Sequence, residues 1–304
     1  MSQSTAGGGR SGPVHQPVLV REVLQWLDLR PGLTVVDGTV GAGGHSRQIL
    51  SRLGPDGLLI GLDRDPMMLA HAATRVSGPN VRLVQSSYAR LPEVLESLSI
   101  PKIDRILLDL GLSSDQLSDA PRGFGFDAEG PLDLRFDTSM GSPAWQLLEQ
   151  IEINELERIL KEYGEEQFSG LIARRLVERR ATHPVRTAAD LTRAVTEAIP
   201  ERFLRDARKH PATRVFQALR IAVNEELDQL TSALAEGIPG ALAPEGRAVV
   251  ISFHSLEDRI VKEAFRDDVR WVNLTSKPIQ ATAAEQRLNP RSRTAKLRAA
   301  TRTT

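Results

Sequence analysis

The chain reads as an α/β protein: an open, parallel sheet covered by helices, with an all-helical domain inserted late in the sheet. Three observations predict this. Through the first third of the 304 residues, short apolar runs alternate with helix-like segments. The first run ends in a carboxylate and a glycine-rich turn, Asp37-Gly38-Thr39-Val40-Gly41-Ala42-Gly43-Gly44. The rhythm stops after Asp109, and helix signals replace strand signals until Arg247.

Residues 33–36 form the first strand. Strand, glycine turn, helix is how open sheets build a nucleotide site, because glycines let the backbone come close to a ligand. The helix that follows covers 46–53. A second strand at 58–62 ends in Asp63, at the distance downstream where an acid grips a ribose diol. The next helix, 66–76, opens on a proline suited to a first helical position. A strand at 81–85, a helix at 91–98 and a strand at 103–108 complete the series. Helical crossovers imply parallel pairing. The nearly all-apolar strands suit a sheet covered on both faces.

A crossover needs only a dozen or so residues, and so long a structureless loop does not suit a compact domain. The gap instead carries helix signals. Ser142-Pro143 starts one helix. Asn154 caps another that carries Leu156, Ile159 and Leu160 and stops at Gly164. Phe168, Leu171, Ile172, Leu176 and Val177 form an apolar stripe, and Thr187 caps a segment ending at Pro200. Val215, Leu219, Val223, Leu227, Leu230 and Leu234 recur at helical spacing and return the chain to the sheet. The fifth strand is 247–252, and 293–300 is a late strand or a tail. The expected division is a disordered tail at 1–14, a discontinuous sheet domain at 15–112 and 213–304, and a helical, substrate-recognising insert at 113–212.

Hydrophobic residues make up 40% and charged residues 26%, as in soluble globular proteins. There is no cysteine, which excludes disulfides and thiolate chemistry and fits a reducing cytoplasm. No membrane span is expected. The six histidines show no metal-ligand spacing, so no metal is expected either. A net charge of zero excludes coating of long nucleic acid by net charge alone. Arginines nevertheless gather at 174–186, 202–220 and 287–302, each a planar fork suited to phosphate.

Asp37, Asp63 and Asp109 each end a strand, so the three should converge on one crevice. A dinucleotide loop would need a third glycine where Ser46 stands, which leaves a loop closer to one that holds S-adenosylmethionine. Tyr88, just past the third strand, can stack on an adenine. Residues 121–135 suit a cover over the site, with Phe124 or Phe126 stacking on a base. His254 is a base or a substrate contact, and Ser255 beside it caps a helix with Asp258 in a capping-box role. His210, Arg214 and Arg220 stand where insert meets sheet and can hold RNA.

Taken together the motifs resemble one family, the bacterial small-subunit ribosomal RNA cytosine-N4 methyltransferases (RsmH, or MraW). The matching pieces are His15-x-Pro17-Val18-Leu19, the glycine turn through His45-Ser46, Leu62-Asp63-Arg64-Asp65-Pro66, and 108–117 from Leu108-Asp109 to Gln116-Leu117. Arg122-Gly123-Phe124, 130–135, Tyr163-Gly164-Glu165-Glu166, 210–214 and 251–259 also match. The resemblance implies a Rossmann-like class I S-adenosylmethionine-dependent methyltransferase fold. It also implies methyl transfer to N4 of one cytidine in the decoding (P-site) region of 16S ribosomal RNA, within an assembled or nearly assembled small subunit. It places Gly43, Gly44, His45, Asp63, Tyr88, Asp109 and Gln116 at the cofactor. Asp109 is the expected acceptor for the reacting amine, although the Asp/Asn-Pro-Pro-aromatic tetrad of many amine methyltransferases is replaced here by Asp109-Leu110-Gly111-Leu112. An NAD-linked oxidoreductase and a non-catalytic ribosome-assembly factor are the rival readings.

Overall fold

One eight-stranded sheet organises the computed structural model, which describes residues 16–126, 128, 130–205 and 210–303. The tail expected at 1–14, together with His15 and Lys209, lies outside these residues. Strands β1 (Thr34–Asp37), β2 (Leu58–Asp63), β3 (Val81–Gln85), β4 (Ile103–Asp109) and β5 (Leu242–Ser252) run parallel in the order β3-β2-β1-β4-β5. β6 (Trp271–Asn273) and β7 (Ile279–Gln280) both pair with β8 (Lys296–Arg302), which closes antiparallel on β5. Of the 293–300 segment, residues from Lys296 on are strand rather than tail. Order reverses between β1 and β4, and open α/β sheets bind ligands in the crevice beyond the carboxyl ends at such a point.

Alternation along the strands sends neighbouring side chains to opposite faces. Val36, Ile60, Ile106, Leu108 and Val250 face one apolar core, which is filled by Leu91, Val94, Leu230, Val261 and Phe265. Val35, Leu59, Leu107, Val249 and Ile251 face the other, filled by Val23, Leu27, Ile49 and Leu53. The first four helices are α1 (Val20–Leu27), α2 (Gly44–Leu53), α3 (Pro66–Arg75) and α4 (Leu91–Ser97), of which α1 and α2 fill the second core and α4 part of the first. α1 has no side-chain cap and follows Leu19 at φ 53°, so nothing local announces it.

After α5 (Ser114–Ser118), the insert builds a third core from α6 (Ala144–Gln150), α7 (Ile153–Glu162), α8 (Ser169–Arg179), α9 (Ala188–Ala198), α10 (Glu201–Arg205) and α11 (Thr213–Asn224). Leu156, Ile172, Leu191, Val215 and Leu219 share it, so the insert's core extends through α11, past the boundary expected at 212. Thr187 caps α9 in a box closed by Asp190, as the sequence suggests. Asn154 does not cap α7. It lies in the first turn, and the cap position is Glu152.

The apolar repeat from Val215 to Leu234 is not one helix. Glu225 takes a left-handed φ of 52°, ends α11 and redirects the chain into α12 (Glu226–Ser232). A π-helical turn (Ala233–Gly237) and α13 (Ile238–Ala241) lead on to β5. α14 (Ser255–Asp267) and α15 (Ala283–Leu288) complete the helices. The cap of α14 is His254, whose Nδ1 accepts the Glu257 N–H, while the Glu257 carboxylate accepts the His254 N–H. The expected Ser255–Asp258 pair is therefore displaced by one residue, because an imidazole nitrogen can accept as a hydroxyl does. Asp258 instead bonds Lys296 and Arg298 of β8 at 3.2 and 2.7 Å. Among the described residues no helix is long and apolar enough to cross a membrane.

Candidate active site

A cavity opens where β1, β2 and β4 end. The glycine loop gives it Gly38, Thr39 and Gly41, and β2 and β4 give it Asp63 and Asp109. Tyr88 stands on the wall past β3, Ser113 and Gln116 enter from the start of the insert, and Glu226 and Gln229 come from α12. Main chain here approaches side chain too closely for a larger residue. A Cβ on Gly38 would stand 2.5 Å from Leu108 Cδ2 and 3.1 Å from Tyr88 Cβ.

The three strand-end carboxylates divide their work. Asp63 and Asp109 line the cavity. Asp37 does not. It is buried beneath the loop, accepting the Ser46 hydroxyl at 2.6 Å and the Thr39 N–H at 3.3 Å. Burial pushes its carboxyl above the ordinary value, and these hydrogen bonds offset part of that. Ser46, where a dinucleotide loop would carry glycine, therefore has a structural task. Asp63 Oδ2 accepts the Gly41 N–H and Oδ1 the Asp65 N–H, both at 2.9 Å. Burial pushes Asp63 up to about 7 despite those bonds. The backbone N–H of Asp109 donates to Thr39 Oγ1 at 2.6 Å, tying β4 to the loop. Its Oδ2 lies 3.4 Å from His45 Nε2, and both His45 Nε2 and Asp109 Oδ1 are buried without a hydrogen-bond partner.

Gly43 and Gly44 lie off the cavity lining, as does His45. Gly43 has φ 81°, and a Cβ there would stand 2.8 Å from Val76 Cγ2, so the close approach is to α3. Gly44 packs in the same way against Pro17. Tyr88 is on the wall as expected, its hydroxyl pushed up by burial. Gln116 is there too, but its amide is already engaged. Oε1 accepts the Ser113 N–H at 2.9 Å and Nε2 donates to Asp65 Oδ2 at 3.0 Å. Asp65 was not expected as a site residue. It caps α3 through the Met67 N–H and carries a buried ion pair with Arg122 of the insert. Burial opposes the charge of Arg122, yet Asp65 and Asp119 hold it above its ordinary value.

The RNA-facing candidates fare unevenly. Phe124 is 6% exposed, stacked on Phe136 inside the insert's core, and so does not present its ring to a base. Arg220 does not offer its fork to a phosphate either. It makes a bidentate pair with Glu226, both bonds 2.8 Å, and although burial works against its charge Glu226 holds it above its ordinary value. His254 is engaged as the cap of α14. Phe126 and His210 are brought together as a stack, centroids 4.3 Å apart and 11° from parallel. His210 and Arg214 are exposed. Sequence reasoning missed Arg64, Phe136, Glu226, Gln229 and Glu257 on the wall. Glu226 and Gln229 share a helix face, but only the turn at Glu225 aims that face at the cavity. Among the described residues no group of three or more His, Asp or Glu could hold a metal ion.

The family model described as the MraW methylase family matches residues 13–303. "Ribosomal RNA small subunit methyltransferase H" of Trichlorobacter lovleyi is 48% identical, covering 94% of this chain and 97% of its own. The protein of the same name from Geotalea uraniireducens is 47% identical over the same shares. Among solved structures, a putative rRNA-methylase from Clostridium thermocellum aligns at a TM-score of 0.46 and 12% identity, over 95% of this chain and 100% of that one. That likeness is too loose to bear on chemistry. The family match and the relatives do not depend on it, and by both the chain belongs to the MraW methylase family.

Proposed function

We propose that the chain transfers a methyl group from S-adenosylmethionine to the exocyclic N4 of a cytidine in the decoding (P-site) region of 16S ribosomal RNA. The substrate is an assembled or nearly assembled small subunit, and the work is done in the cytoplasm without a metal. One observation carries the reading: Asp63 and Asp109 share a cavity at the switch point of the sheet. The relatives' names supply the class of RNA, and the resemblance of the motifs supplies the cytidine and its N4.

The residues fit the cofactor. The cavity is bordered by four carboxylates, which suits a positively charged nucleoside ligand. When bound, the cofactor supplies an electrophilic methyl group on a sulfonium sulfur. Asp63 accepts from the ribose hydroxyls, and the Tyr88 ring borders the adenine. The N4 lone pair of cytosine is delocalised into the ring, so the amine is a poor nucleophile. The Asp109 carboxylate, as an in-plane acceptor for one N–H, favours pyramidal nitrogen and aligns it. A base held in RNA reaches such a pocket only when flipped out or unpaired. The Phe126–His210 stack and exposed Arg214 offer a ring face and a phosphate fork on the insert.

Calorimetry with S-adenosylmethionine and with NAD, then mass spectrometry of nucleosides from subunits lacking the modification, tests this. N4-methylcytidine supports it. NAD binding alone indicates an oxidoreductase, and RNA binding without methylation indicates an assembly factor.

The Asp63 carboxyl gives a pH prediction. With its folded value raised from 3.8 to about 7, the unfolded chain releases this proton first. Asp63 thus costs stability as pH rises from about 4 to 7, and no more above that. The ionised form accepts two ribose hydroxyls better than the protonated form. Cofactor affinity should therefore strengthen from pH 6 to pH 8 by up to about tenfold, and Asp63→Asn should flatten that slope. Titrations in which wild type and variant show the same slope would exclude the assignment.

A further inference from the structure

Four carboxylates border the cavity: Asp63, Asp109, Glu226 and Glu257. Three have roles above. Asp63 accepts two loop N–H groups and faces the ribose. Glu226 is neutralised by the Arg220 fork. Asp109 is the first acceptor for the amine. Glu257 is unassigned, although it is only 3% exposed and a lone buried carboxylate is costly.

Its geometry is that of a held anion. Glu257 Oε2 accepts the Phe253 N–H at 2.8 Å and the His254 N–H at 3.3 Å, in the first turn of α14, where the helix dipole favours negative charge. Oε1 accepts neither of these, and His254 Nε2 lies 3.0 Å from it without hydrogen-bond alignment. β4 and β5 are neighbours in register, with Leu110 N–H donating to Ile251 O at 3.0 Å just where both strands end. Asp109 and Glu257 therefore reach one cavity from adjacent strand ends.

An exocyclic amine has two N–H groups in one plane and one of its hydrogens must leave. We infer that Glu257 is the second acceptor for the N4 amine and takes the departing proton. The N4 lone pair forms the N4–CH3 bond, and the S–CH3 bond breaks with its electron pair going to sulfur. The N4–H proton passes to Glu257 Oε1. The positive charge lost at sulfur thus reappears as a proton on a carboxylate, which releases it once product leaves. This rests on the function proposed above.

Glu257→Gln tests it, because glutamine keeps one oxygen for the two backbone N–H groups and loses only the basic site. Single-turnover methylation of unmodified small subunits should slow by about 100-fold or more. Cofactor Kd, KM for the subunit and the melting temperature should stay near wild type. A rate within threefold of wild type overturns the inference, as does a loss that follows Kd or KM instead. If the glutamine variant unfolds, Glu257→Asp keeps the charge and draws it back by one methylene. A slower rate at unchanged Kd then supports the role, and an unchanged rate overturns it. Wild-type enzyme that makes no N4-methylcytidine would refute the underlying reading, whatever the variants do.

Discussion

Asp65→Ala should destabilise the protein by about 3–5 kcal/mol, the usual result of removing one partner from a buried ion pair. Asp65 is 1% exposed and Arg122 only slightly more. One carboxylate serves three donors: the Met67 N–H at the start of α3, the Gln116 amide and the Arg122 guanidinium. Alanine leaves a buried guanidinium with Asp119 as its one carboxylate partner and the Gln116 amide N–H without its acceptor. It also removes a helix cap, which contributes about 1 kcal/mol. For a domain of this size the midpoint should fall by on the order of 10 °C. Asp65→Asn separates the terms, since asparagine keeps the cap but turns a donor toward two donors. A double variant with Arg122→Ala should cost less than the sum of the two single changes. A loss below about 1 kcal/mol for Asp65→Ala, in thermal and denaturant unfolding alike, would show that Asp65 does not tie the insert to the sheet.

The same residue marks the limit of what the sequence reveals. The strands were legible because they are covered on both faces, so their apolar runs need no partner to be recognised. The glycine loop was legible as well, but its division of labour was not. Asp37 ends its strand as Asp63 and Asp109 do, and only packing shows it turned under the loop toward Ser46. Glu225 carries no turn signal. A glutamate at φ 52° interrupts an apolar repeat that reads as one helix, and the residues it swings into the site were lost with it. Glu257 was hidden by one step of register, because the cap falls on a histidine rather than on the serine beside it. Phe124 and Arg220 show the converse. Ring and charge are visible in sequence, but their partners Phe136 and Glu226 lie 12 and 6 residues away and become visible only in the fold.

Asp109→Ala should abolish most turnover while leaving the fold intact, and this pairing identifies a functional rather than a structural residue. The Asp109 side chain does little for the fold. Oδ1 has no hydrogen-bond partner, and Oδ2 lies 3.4 Å from His45 Nε2. Its field favours the charge of Arg291, against the burial that lowers that group, so removal loses one favourable interaction and relieves one desolvated anion. The two oppose each other, and the midpoint should move by no more than a few degrees. Chemistry should respond far more. Losing an acceptor aligned with a reacting group costs about 100- to 1,000-fold in rate. Because the cofactor is also expected beside Asp109, alanine will weaken its binding, and Asp109→Asn is the sharper variant. Asparagine keeps the shape and one acceptor oxygen, so cofactor Kd should shift by less than about fivefold while single-turnover methylation falls by about 100-fold. Those two numbers decide between roles. A rise in Kd that accounts for the whole loss makes Asp109 a cofactor ligand alone. Turnover unchanged at saturating cofactor removes it from the chemistry, and the amine would then have to be held by Glu257 without it.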